Sequence, residues 1–555
     1  MDLGFLDRSP RAAVPLLAAL TLLLLLPFAG KAFHVDDPLF LASARRIVEE
    51  PLDPYGFRVN WYGDEMPMWE VTKNPPLVAY VLAAAGRTIG WSEVPLHLVL
   101  LVPAVAVVSG TFLLARRLGG SPFLAAALVL ASPAFLVPAT GLMCDVTMLA
   151  FWVFAVLLWL DGIDRDDPRR LLGSACLVSA AVLTKYFAIS LIPLLAAWTL
   201  LRGKGAWKRL AHLAVPVAVL AAYQIWTSGL YGRGLLLDAA SYATGEGRNW
   251  TGFRSAQGIV GLAFTGGCFL PALLYAPRLW SKRALAAALI AGASAGSALA
   301  AGALASGGVA LAAGWRAAGS IQFGLFVAAG LLVLALALVE SRERRDPPTI
   351  LLGLWLAGTF LFASFVNWSV NGRSLLPMAP AVAILAARRL DRLAPSSGAA
   401  AAARLLPAAV AAALALAITR GDYRLAAAGR EAAAAVERRT AGRTGTLWFF
   451  GHWGFQHYME AIGAKPVDAA TTRFQPGDLV AVPSNNTNTP ALPVEWVAAR
   501  EPIPLGGPRW VTTLHPALGA GFYASDFGPL PFSFGRPPPE RCELIRIGVT
   551  ASISR

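Results

Sequence analysis

Charge is what this sequence has least of. Only 14% of its 555 residues are Asp, Glu, Lys or Arg, and 56% are hydrophobic, with a mean hydropathy of +0.57. Soluble globular proteins average about 25% charged residues, so the shortage excludes a soluble domain and requires an integral membrane protein. Cysteine is also scarce. Cys144, Cys176, Cys268 and Cys542 are scattered without CxxC or Cys/His spacing, which indicates neither a zinc site nor a disulfide framework. No GxGxxG and no Walker loop occurs, so no nucleotide cradle is visible. The net charge of +14 invites a nucleic-acid partner, but the basic residues sit in short clusters between apolar runs instead of on one face. That is the pattern of membrane topology, and it argues against nucleic acid.

What is present is a series of apolar runs. A span needs about 20 such residues to cross a ~30 Å hydrocarbon core. About thirteen candidates begin near 12, 93, 121, 145, 170, 186, 209, 257, 284, 320, 349, 375 and 403. The first could pass for a signal peptide, but GKAFHVDD is a poor cleavage site and an uncleaved span is the better reading. With the N-terminus in the cytoplasm, the inside loops hold Arg116–Arg117, Arg165 with Arg169–Arg170, Arg202 to Arg209, Arg278 to Arg283, Arg342 to Arg345 and Arg388 to Arg392. This satisfies the positive-inside rule and predicts a polytopic membrane protein with a cytoplasmic N-terminus.

The alternation predicts three regions. Residues 1–419 form a membrane domain, within which 31–92 is a long first external loop carrying interfacial helices. Residues 420–555 form a small extracytoplasmic α/β domain. It opens with a helix (LAAAGREAAAAVERR) and continues through strand-like runs TLWFFG, DLVAVP, EWVAAR, RWVTTL and CELIRI between Pro, Gly and Asn turns. The Ala/Gly segment 296–314 blurs two span boundaries, and no internal repeat emerges.

Six unusual charges then share one level, the outer boundary. Asp36 and Asp37 follow the first span, Lys73 opens a TKNPPL turn, Asp145 starts the fourth span, Lys185 lies between the fifth and sixth, and Arg373 precedes the twelfth. Acids and bases gathered from distant parts of a chain suggest a pocket that binds an anion and activates a nucleophile. Each also has a plainer reading: solvated loop or helix cap for the aspartates, headgroup contact for Lys185 and Arg373. Lysine weakens that reading, because only seven of the 47 basic residues are Lys. His34 adjoins the acidic pair and is read as structural, as a ligand or as a proton relay. His452 and His457 read as fold or acceptor-surface residues, and the glycosylation-like triplets at Asn249 and Asn367 are too short to weigh.

HVDDPLFLASA, TKNPPLVAYVLA, CDVTMLAFWVFAVLLWL, LTKYFAISLIPLL and GRSLLPMAPAVAILAA, in that order over about 30–390, resemble the membrane-embedded GT-C glycosyltransferases. The resemblance is greatest to family 39, which holds the dolichyl-phosphate-mannose protein mannosyltransferases and the bacterial lipid A aminoarabinose transferases. It implies a polytopic α-helical GT-C fold and transfer of a sugar, with inversion, from a polyprenyl-phosphate donor to a lipid, glycan or protein acceptor at the outer face. The family's acidic pair after span one is usually Asp-Glu and here is Asp36-Asp37, with Asp36 on the family aspartate. Its basic residue at the Pro-Pro turn falls on Lys73, with Asn74 intervening, and its late Arg on Arg373.

The residues suit that chemistry. Displacing a phosphate from an anomeric carbon needs one carboxylate as base, Asp36 or Asp37, and cations facing the leaving group, here Lys73, Lys185 and Arg373. Asp145 and His34 would support them. Neighbouring helical residues point about 100° apart, so one aspartate faces the acceptor while the other holds a cation, a backbone end or a metal. No cofactor is required, and the carboxylate pair leaves room for a divalent metal. A transporter or flippase is the rival reading, yet such sites lie near the midplane of repeated helices. A binding protein without the base is the third.

Overall fold

The computed structural model describes residues 3–202, 205–244, 254–302, 315–393, 399–442 and 445–553. Asn249 of the first glycosylation-like triplet and residues 303–314 of the Ala/Gly segment lie outside them. All thirteen predicted segments are helical. Among the described residues eight helices are long and apolar enough to cross a bilayer, and up to nine counting one bent pair. Others, such as Tyr186–Leu201 and Ala256–Cys268, are shorter.

The bent pair redirects the chain. Pro122–Leu130 and Pro133–Thr140 meet at 62°. Pro133 has no N–H to continue the helix and drives Ser132 out of the helical region, to φ −96° and ψ 135°. The kink steers the loop after it, through Leu142 and Cys144, toward Asp37 in the 31–92 region. From there Asp145–Arg165 runs back through the bundle.

That helix separates two polar ends. Asp145 lies at one, and at the other Asp161 and Asp164 meet Arg117, Arg170 and Arg202. At 1.5 Å per residue, Asp145 and Asp164 are about 28 Å apart, close to a hydrocarbon thickness. Arg388 pairs with Asp346, the N-cap of the helix Pro347–Leu361, and Arg389 and Arg392 of the helix Ala379–Leu393 pair with Glu340 and Glu343 near the end of Arg316–Arg344.

The region 31–92, predicted as the first external loop, contains the helices Asp37–Glu49 and Leu77–Ile89. It also has an antiparallel hairpin, Arg58–Asn60 with Glu65–Pro67, that the sequence pattern did not indicate. The last span and the helix predicted to open the tail are one element, Ala399–Thr440, running unbroken through position 420. No proline or capping residue interrupts it there. Gly421 instead lets the tail approach, since a Cβ at that position would collide with the Val511 carbonyl oxygen.

The tail is built on a five-stranded mixed sheet in the order Lys465–Pro466, Leu447–Phe449, Leu479–Pro483, Arg541–Ile547, Val497–Pro504. The first three run parallel, and Arg541–Ile547 pairs antiparallel on both sides. The helix Trp453–Ala461 packs beside it. RWVTTL does not join this sheet; Val511–Thr512 and Leu514–His515 form short separate pairings.

Glu540, at the start of the fourth strand, is buried, and burial pushes it from 4.5 up to about 7 despite hydrogen bonds from Asn485 and Ser484. The folded protein therefore binds more protons than the unfolded chain between those values, and stability falls as pH rises through that window. Glu540→Gln removes the charged form. It is expected to stabilise the protein by roughly 1–3 kcal/mol near pH 8 and to leave it unchanged near pH 4, read as thermal melting in detergent.

Candidate active site

Lys31 leaves the first span and is almost fully buried. Its ammonium donates to Asp422 Oδ2 at 2.5 Å and to Thr140 Oγ1 at 3.2 Å. Asp422, also buried, accepts in addition from Thr513 Oγ1 at 2.6 Å and from the Tyr523 hydroxyl at 3.0 Å. The first loop, the long helix and the tail are thereby tied at one point. None of these residues was singled out from the sequence. The lysine scarcity that marked Lys73 and Lys185 applies equally to Lys31, and was the signal that could have found it.

From this anchor the chain makes a tight turn. Val35 takes φ +45°, a region that costs a β-branched residue on the order of 1–3 kcal/mol. Asp37 holds the turn: Oδ2 accepts from the His34 N–H and Oδ1 from the Leu142 N–H, both at 2.9 Å. Its carboxyl is buried, which pushes it up to about 6 despite Lys31 and the two backbone donors. His34 lies behind the turn, edge-on to Tyr523, and burial lowers it to about 4. Asp37 and His34 thus face the protein interior.

Asp36 faces the other way. Its carboxylate retains 31% exposure and lines a cavity of about 230 Å³. Lys73, Lys185 and Arg373 line the same cavity, together with Tyr55, Tyr62, Tyr186, Tyr242 and Trp368. Of the seven residues predicted for the site, four meet around this space. Asp145 is the seventh and sits behind it, accepting from Lys185 Nζ at 2.5 Å.

Each cation has a fixed partner. Arg373 Nη1 donates to Asp36 Oδ2 at 3.2 Å and touches Met143 Sδ, and its guanidinium lies 5.6 Å from the Tyr523 ring. Burial opposes its charge, but the Asp36 and Asp145 carboxylates outweigh this and hold the group above its ordinary value. Lys73 donates to Asp238 at 2.5 Å and lies over Tyr242. Arg373 Nε and Asp145 Oδ2 are buried without a hydrogen-bond partner. An unpaired cationic donor beside a cavity is the kind of group an incoming anion satisfies.

The tail completes this wall. The Gly372 N–H donates to the Phe522 carbonyl and the Ser525 N–H to the Val370 carbonyl, each at 2.8 Å, so strand-like bonds carry the Arg373 loop. Among the described residues no group of three or more His, Cys, Asp or Glu is arranged to hold a metal ion.

The anchor is testable without assaying activity. Removing one member of a buried ion pair costs about 3–5 kcal/mol, whereas replacing both with apolar residues is often neutral. Lys31→Met is expected to lower thermal stability by that amount and Lys31→Met/Asp422→Leu to restore most of it. Equal losses in the single and double variants would count against the pair as the anchor.

Comparison with known proteins places the arrangement in context. Residues 73–226 match the family of dolichyl-phosphate-mannose-protein mannosyltransferases, a stretch that begins at Lys73 and includes Asp145 and Lys185. The fold is similar to the crystal structure of ArnT from Cupriavidus metallidurans bound to undecaprenyl phosphate. The TM-score is 0.52 at 16% identity, over 84% of this chain and 92% of that one. It is also similar to the oligosaccharyltransferase of Archaeoglobus fulgidus tethered to an acceptor peptide, with a TM-score of 0.50 at 14% identity, over 82% of this chain and 63% of that one. This chain therefore spans less than two thirds of the oligosaccharyltransferase. A search of curated protein sequences finds no match. Over 73–226, then, the chain is similar in sequence to the mannosyltransferase family, and over most of its length it shares the fold of ArnT.

Proposed function

We propose that the enzyme transfers a sugar from a polyprenyl-phosphate donor to an acceptor hydroxyl, with inversion, in the cavity beside Asp36. The observation that carries this reading is the opposition of one exposed carboxylate to three cations around a single space. The acceptor O–H attacks the anomeric carbon, its proton passes to Asp36, and the bond from that carbon to the phosphate oxygen breaks. Polyprenyl phosphate leaves carrying the electron pair. Because phosphate is a weak base, it needs neutralising charge and no proton; Arg373 and Lys185 supply that charge in a site partly closed to water.

Arg373 has a second part in this scheme. Its guanidinium pairs with Asp36. A donor phosphate draws the guanidinium away, and the carboxylate is released to accept a proton only once the donor is bound. Asp37 keeps the turn in place and takes no proton from the acceptor. The tyrosines and tryptophan around the space offer faces on which sugar rings stack.

Orientation follows from the arginine clusters at the end opposite the cavity. By the positive-inside rule that end is cytoplasmic, which puts the cavity and the 420–555 segment on the outer side of a bacterial plasma membrane. The acceptor there is a lipid, a glycan or a protein hydroxyl. No cofactor takes part, since the cationic side chains carry the charge that a metal ion would otherwise balance.

Asp36→Asn is expected to lower the transfer rate by about 10²–10⁴-fold while binding of polyprenyl phosphate persists. Arg373→Ala should weaken that binding as well as the rate, and a chelator should leave the wild type unaffected. The assay is transfer from polyprenyl-phosphate sugar by purified protein. Wild-type turnover in Asp36→Asn would exclude Asp36 as the base, and loss of activity on chelation, restored by a divalent ion, would exclude the metal-free scheme.

A further inference from the structure

The long helix Ala399–Thr440 shows one face to its surroundings along its whole membrane portion. Leu406, Val410, Ala413 and Ala417 are exposed at intervals of three or four residues, so they form one stripe. The same stripe continues into Arg420 and Arg424, both exposed. At the far end Arg404 is buried and paired with Asp391. Arg404 and Arg420 therefore bracket the apolar run about 24 Å apart, a little less than a hydrocarbon core. Arg420 and Arg424 stand at a membrane–water boundary, beside Asp422 and so at the level of the anchor.

The tail adds to this boundary. Arg509 and Trp510 come from the loop before Val511 and, with Ala417, Arg420 and Arg424, line a cavity of about 340 Å³. Trp510 is 79% exposed. An indole left in the open on a soluble surface is a liability, but at the headgroup level of a bilayer it is favoured. Among the described residues none of the three arginines forms an ion pair with a carboxylate. Arg420 lies over the Tyr423 ring at 5.1 Å. Asp422 is occupied by Lys31, and Glu431, two turns further along the helix, accepts from the Gly506 N–H. Three guanidinium groups with no internal counter-charge, at the top of a lipid-facing stripe, match a phosphate above an acyl chain.

We infer that this cleft seats the phosphate headgroup of an anionic phospholipid, with an acyl chain lying along Leu406, Val410, Ala413 and Ala417. The site is separate from the Asp36 cavity and shares no residue with it. It places a structural lipid against both the long helix and the tail, where the two meet at Gly421.

Native mass spectrometry of the whole protein released from detergent tests this, using phosphatidylglycerol, phosphatidylcholine and undecaprenyl phosphate as separate probes. The wild type is expected to retain phosphatidylglycerol in preference to phosphatidylcholine. Arg420→Gln, Arg424→Gln and Arg509→Gln should each weaken retention about five-fold, whereas Arg420→Lys/Arg424→Lys should keep most of it. Undecaprenyl phosphate retained through Asp36-cavity residues should survive the three Gln substitutions. Equal retention of the two phospholipids, or unchanged retention in the combined Gln variant, would overturn the assignment. So would displacement of phosphatidylglycerol by millimolar inorganic phosphate, which would make the ligand a free anion. Preference for undecaprenyl phosphate that the Gln variants abolish would make it a second carrier-lipid site instead. The arginines are exposed, so the variants should melt like the wild type.

Discussion

Everything at the cavity depends on the buried ion pair between Lys31 and Asp422. A lysine and an aspartate that are both withdrawn from water are tolerated only if they find each other and fill their remaining hydrogen bonds. Here Thr140, Thr513 and Tyr523 fill them. The consequence is geometric. The exit of the first span, the kinked segment, the long helix and the tail are fixed to one another at one point. The strained turn at Val35 can therefore be held, with Asp36 toward the cavity and Asp37 toward the backbone.

The tail is accordingly part of the site and not an appendage to it. Tyr523 links the anchor to Arg373 directly: its hydroxyl meets Asp422 and its ring lies beneath the guanidinium. A second contact joins the Trp453–Ala461 helix to the first loop. Gly454 permits it, because a Cβ there would collide with the Phe33 carbonyl oxygen. The Tyr458 hydroxyl then bonds Glu93, which also pairs with Arg430. The proposed base and the proposed phosphate-binding arginine are thus both positioned by residues far along the chain.

Much of this was legible in the sequence for a simple reason. Backbone in a bilayer must satisfy its own hydrogen bonds, so apolar runs become helices: all thirteen predicted segments are helical, and eight or nine of the described helices are long and apolar enough to cross a membrane. Asp36, Lys73, Lys185 and Arg373 stood out because a charge at the end of an apolar run has few ways to be solvated. What escaped was of two kinds. The junction at 420 has no sequence signal, since a helix leaving the membrane without proline or cap simply continues. Tyr523 and Thr513 lie among two-residue strands without periodicity, and their partner Asp422 resembled any polar residue after a span. Their importance comes from contacts between residues hundreds of positions apart, which local patterns do not encode.

The proposed chemistry makes one stereochemical commitment, because a single displacement promoted by one carboxylate inverts the anomeric centre. The direct test is the anomeric configuration of the transferred sugar, read by NMR from the one-bond carbon–hydrogen coupling at the anomeric position, starting from a polyprenyl-phosphate donor of known configuration. The opposite configuration is expected in the product. Retention would contradict the single displacement, since retention needs a covalent sugar–enzyme intermediate and a nucleophile in the place where Asp36 is proposed to act as a base.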